Sequence, residues 1–236
     1  MASNTVFSDS LSAPSNSTMI TPVTTIMAES SLTKEQVVAT LGLPVGMDPL
    51  TFSAFDATLS AADKLTALKV EKAAQKVMAI VSTFATAAEA SGATASVSFD
   101  AAMKAVVAEV VTATTAYELA VTNSTTPVVL AFTDAQVDDV KLAMDTVIAA
   151  EIVAGTMTTA MSDVFTAQVT NNVIALKNVV GKIDAIVENT ANLDLSLSSG
   201  IFALTSVLAD QVETATAAVK AIQTANTANG TSNALT

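Results

Sequence analysis

The sequence predicts an all-α protein: an elongated bundle of long helices, with an extended N-terminal arm and a Pro/Gly linker closing one end. Three observations predict it. Apolar residues repeat at alternating intervals of three and four, most clearly in Val173, Leu176, Val180, Ile183 and Val187, which is the period of a helical seam. The 51% hydrophobic content rests on alanine and valine, with only 4% aromatic residues, so the interior suits helices packed closely over small side chains. Seven glycines and five prolines in 236 residues are too few for the frequent turns of a many-stranded fold. The chain divides into an arm (1–20), short helices and a Pro/Gly linker (21–56), a long-helix bundle (57–226) and a polar tail (227–236).

The arm has no helical stripe, and Phe7, Asp9 and Leu11 alternate with serines in the manner of an extended segment, either loose or docked on a neighbouring molecule. Thr21 followed by Pro22 opens a short helix, because proline at the first helical position forfeits an N–H that has no partner there anyway. Thr33 with Gln36 forms a capping box for a second helix, which Gly42 stops and Pro44 prevents from continuing. In the linker, Pro44 and Pro49 stiffen the backbone while Leu43, Leu50, Phe52 and Phe55 provide apolar anchors for closing the bundle end.

Residues 59–92 read as one helix of about 50 Å, with Val70, Val77, Val81 and Phe84 on one face and Gly92 at its end. Ser98 is expected to cap the next helix, whose seam is Met103, Val107, Val110, Thr114 and Tyr117. A loop containing Pro127 leads to a capping box at Thr133 and Gln136, and the helix that follows carries Val137, Val140, Met144 and Val147 up to a break or kink at Gly155. The clearest seam occupies residues 158–188, and a last helix carries Ile201, Leu204, Leu208, Ala215, Val219 and Ile222. Threonine and valine are weak helix formers, so buried seams must hold these helices together.

The residue inventory excludes much chemistry. All ten basic residues are lysine, and His, Cys, Arg and Trp are absent, which removes the usual neutral-pH base, thiolate metal ligands and bidentate anion clamps. A net charge of −12 repels phosphate backbones, so nucleic acid is not an expected partner. Without cysteine there is no disulfide framework and no indication of redox compartment. Residues 1–20 are rich in Ser, Asn and Thr and do not read as a signal peptide, and no transmembrane segment is expected, because the run 195–209 is short and broken by serines.

Individual motifs reduce to structural readings. Ser31 to Lys34 matches S-x-x-K without its companion elements, and Thr33 is explained by capping. Asp134, Asp138, Asp139 and Asp145 lack the glycine-centred loop of a calcium site and read as a solvated face, with Lys141 positioned to pair with Asp145. Lys69, Lys72 and Lys76 are expected to form an exposed polar stripe beside Glu71. Gly181 and Lys182 lack the rest of a phosphate loop, and the N-x-[ST] triplets at Asn16, Asn123 and Asn229 carry little weight in a chain this rich in Ser and Thr. No catalytic, cofactor-binding or metal-binding residue is assigned.

Leu11, Ala13, Pro14, Thr21, Pro22, Thr24 and Thr25, then Leu41, Gly42, Leu43, Pro44, Asp48, Leu50, Thr51 and Phe52, and finally the run Lys72 to Gln75, form a recognisable series. It resembles the Ala/Thr/Val-rich helical modules of large repetitive bacterial surface and secreted proteins. The resemblance covers roughly the first third of the chain and implies a structural setting outside the cell: a surface layer, filament, adhesin or virus particle. A mean hydropathy of +0.54 independently points to surface buried between copies or in a larger assembly. The expected function is therefore non-enzymatic and structural, with a homo-oligomer or larger assembly as partner. The alternative is an amphipathic lipid- or granule-coating protein of the phasin kind, and an enzyme built on Asp, Glu or Lys would need a pocket the sequence does not display.

Overall fold

The computed structural model describes residues 11–54, 56 and 58–185. Among the described residues the protein is helical and contains no strand. The elements are α1 (Pro22–Glu29), α2 (Lys34–Thr40), α3 (Ala61–Ala90), α4 (Ala95–Thr122), α5 (Asp134–Ala154) and α6 (Thr159–Asp184). The predicted last helix, the polar tail, residues 1–10, Phe55 and Val187 lie outside the described residues.

Local chemistry sets most boundaries. Thr21 and Thr33 each accept a backbone N–H from the residue three on, completing capping boxes with Thr24 and Gln36. Gly42, Gly92 and Gly155 adopt φ of 63°, 107° and 78°, the left-handed region that ends α2, α3 and α5 at no Cβ cost. Gly155 therefore stops its helix, and Thr158 caps the next one.

The start of α4 departs from expectation. Thr94 is the cap, its hydroxyl accepting from Val97 N at 3.4 Å, and Ser98 lies a turn inside the helix, fully buried. The left-handed turn at Gly92 reverses the chain so tightly that Thr94 is the first hydroxyl able to cap. Ser98 is then carried onto the buried face with Ala101, Ala102 and Ala105.

α3 packs against α4 and α6, α4 against α5, and α5 against α6, so the four long helices close a ring. The turns 91–94 and 155–158 reverse the chain between neighbours, and Lys104–Glu151 (2.9 Å) and Lys177–Asp138 (2.6 Å) bridge adjacent helices. Every expected seam residue of α3 and α6 within the described chain is buried, as are Met103, Val107, Val110 and Thr114 of α4. Phe84, Phe132 and Phe165 are the largest side chains fully enclosed.

α1 and α2 lie against α4, and α1 also touches α3. Residues 11–20 are held by their own chain: Ser12 N donates to Thr25 Oγ1 (3.1 Å), and the amides of Thr18 and Met19 donate to the Leu50 carbonyl (2.8 and 3.2 Å). Leu43 and Leu50 belong to the main core. α4 is long and apolar enough to cross a membrane by length and composition, a property it shares with core helices of soluble bundles, and it buries Phe99, Met103 and Val106 within the ring.

Candidate functional site

The concave feature that gathers charged side chains lies between α3, the end of α2, the 126–132 strap and the end of α6. It is an open cavity of about 190 Å³ lined by Lys69, Lys72, Lys76 and Asp184, with Leu41, Leu43, Leu130 and Phe132 among its apolar walls. The strap is held close. Leu130 N donates to the Thr40 carbonyl at 2.6 Å, and a Cβ on Gly42 would sit 3.4 Å from Val129.

This placement corrects the lysine reading. Lys72 and Lys76 are only 8% and 7% exposed, and Glu71 is buried beside them. Lys76 Nζ donates to the Ala131 carbonyl at 2.8 Å and pairs with the Asp184 carboxylate, while Lys72 Nζ donates to the Asp184 carbonyl at 3.4 Å. A lysine stem covers apolar surface while its terminal nitrogen reaches partners at the rim, and the last carbonyls of a helix are a favourable place for positive charge. Sequence did carry a signal for this: Leu68, Lys72, Lys76 and Ile80 form one row at intervals of four, and both ends of that row are fully buried.

The cleft has the character of a fastener. Phe132 is buried at φ 54°, a left-handed conformation that costs a bulky residue roughly 1–2 kcal/mol. Its neighbour Ala131 is tied to α3 by Lys76, and the same nitrogen holds the end of α6.

Other predicted positions disperse. Lys34 Nζ reaches Asp48 at 3.2 Å, which does not make Ser31 a nucleophile. The Leu50 amide first, and Lys34 second, hold the Asp48 carboxyl below its ordinary range. Lys141 pairs with Asp145 at 3.1 Å as the spacing predicts, while Asp138 reaches across to Lys177. Among the described residues no three acidic side chains converge on a point that could hold a metal.

Glu109 on α4 was not singled out by the sequence. Burial, with Asp139 of α5 adding repulsion, pushes its carboxyl up to about 7. Burial likewise raises Glu71, against a 2.6 Å hydrogen bond from Gln75.

No protein-family model, no curated protein and no solved structure matches the chain.

Proposed function

We propose that the protein is a non-enzymatic structural or assembly protein, a subunit or module of an extracellular surface layer, filament, adhesin or virus particle. In this reading it is an elongated bundle with an extended N-terminal arm, and the Pro/Gly linker closes one end. The observation that carries the reading is uncovered apolar surface on the second half of α4: Val111 is exposed past its middle, Leu119 and Val121 at its end, and Val128 just beyond. Apolar surface of that kind gains free energy when a partner covers it, and a net charge of −12 keeps the chain in solution until one does.

The lysines support the same reading. Lys34, Lys76, Lys104, Lys141 and Lys177 are each engaged with a carboxylate, Lys76 at the wall of the cavity included. Light scattering coupled to size exclusion tests the proposal across a concentration series. Association that weakens in Leu119→Glu is the expected outcome, and a strict monomer at the highest concentration counts against it.

A second reading, a coat on lipid or storage granules, is favoured by one observation. Only 28% of the most apolar 18-residue window of α4 is buried. Flotation with apolar droplets, accompanied by a rise in helix content on contact, is what that reading requires.

A further inference from the structure

Three of the ten lysines converge on the cavity between α3, the end of α2, the strap and the end of α6. Lys69, Lys72 and Lys76 follow one another at intervals of three and four, which places them on one face of α3. Among the described residues that line the cavity, Asp184 is the one carboxylate. The end of α2 and the strap contribute apolar walls through Leu41, Leu43 and Leu130. Cationic and apolar surface thus meet in one small space.

We infer that this cavity binds a small carboxylate carried on a short apolar body, its head on the lysines and its body against Leu41, Leu43 and Leu130. The size fits. About 190 Å³ exceeds what a single water needs and falls short of the roughly 300 Å³ at which pockets for drug-sized molecules begin. Lys72 and Lys76 are buried, so their ammonium groups attract an anion through surroundings less polar than water, where the attraction is stronger. An ammonium carries three N–H donors, and protein partners do not exhaust it. Lys76 gives one to the Ala131 carbonyl and one to the half-exposed Asp184 carboxylate, which itself shows that an oxyanion is accepted at this wall. A phosphate fits less well, because the apolar walls would leave its remaining oxygens without donors.

Such a ligand binds the folded chain alone, since only folding brings the lysines of α3 to the end of α2 and the strap. Its binding therefore raises the melting midpoint in proportion to occupancy. This inference does not depend on the assembly proposed above, which uses α4.

Calorimetric titration of the full-length protein with hexanoate, hexanol and inorganic phosphate tests it, with backbone amide shifts followed by NMR. Hexanoate should saturate with a Kd of about 1 mM or tighter, ahead of hexanol, which lacks the charge, and of phosphate, which lacks the apolar body. The largest shifts should fall at Gly42, Leu130 and Ala131, which line the cavity. Lys72→Met keeps most of the stem's packing while removing its charge, and should weaken hexanoate about tenfold. Lys104→Met, on α4 outside the cavity, should leave the affinity unchanged. Absence of saturable hexanoate binding to the unaltered protein would overturn the inference, as would hexanol or phosphate binding as tightly as hexanoate, or shifts centred on α4. Equal hexanoate affinity in the Lys72 and Lys104 variants would overturn it too.

Discussion

Threonine is tolerated inside these helices because its hydroxyl bonds back to its own backbone. Thr83 donates to the Ala79 carbonyl and Thr114 to that of Val110, both at 2.7 Å, and Thr112, Thr115, Thr122 and Thr146 do the same on exposed faces. Ser98 is the contrast, a fully buried hydroxyl without a hydrogen-bond partner. Ser98→Ala should therefore stabilise the protein by about 1 kcal/mol in urea unfolding, whereas Thr94→Ala should cost about 1 kcal/mol. The opposite signs would identify Ser98 as the cap. Glu109 makes a pH-dependent contribution. Its folded carboxyl titrates at about 7, above its unfolded value, so the folded state binds the extra proton. Stability from this group is fully present below the unfolded pKa and is lost as pH rises towards and through 7. Glu109→Gln should flatten that slope and raise stability at pH 8 by about 1–2 kcal/mol, allowing for partial solvent screening, as melting curves at pH 5 and pH 8 would reveal.

At the scale of elements, α6 depends on its seam and on its end. Val180 is buried in the α6 seam, so Val180→Asp, which places a charge there, should cost several kcal/mol, and an unchanged melting midpoint would contradict the packing. Lys76 joins three elements through one nitrogen, holding the strap by Ala131 and α6 by Asp184. Lys76→Ala removes the donor to the half-buried Ala131 carbonyl and the partner of Asp184, and should cost about 1 kcal/mol, with faster amide exchange first in the strap and the last turn of α6. α2 is joined to α4 by the buried Thr40–Thr114 hydroxyl pair at 2.8 Å. A double-mutant cycle with Thr40→Val and Thr114→Val should give a coupling of about 1 kcal/mol.

At the scale of the whole molecule, the four long helices close a ring, and the short helices pack on it, α1 and α2 against α4 and α1 also against α3. Leu43 and Leu50 of the linker and Leu130 and Phe132 of the strap are buried in the same core, although none of the four lies on a helix. Among the described residues, large apolar side chains remain uncovered at the end of α4, at Leu119 and Val121, and on α5 and α6, at Leu142 and Ile174.

Much of this was legible residue by residue. The caps at Thr21, Thr33 and Thr133, the stops at Gly42, Gly92 and Gly155, and the seams of α3 and α6 all rest on hydrogen bonds or contacts within a turn or two of sequence. Ser98 was misjudged because Ser98 and Thr94 offer equivalent hydroxyls, and only the tightness of the turn at Gly92 selects between them. Lys72 and Lys76 were misjudged because a lysine is buried only where remote groups receive its charge. Their partners stand at Ala131 and Asp184, far along the chain. The sequence by itself determined where helices begin, end and turn their apolar faces, since those choices are made by neighbours along the backbone. Only the tertiary structure decided which polar side chains are enclosed, because enclosure depends on donors and acceptors that folding alone brings within reach.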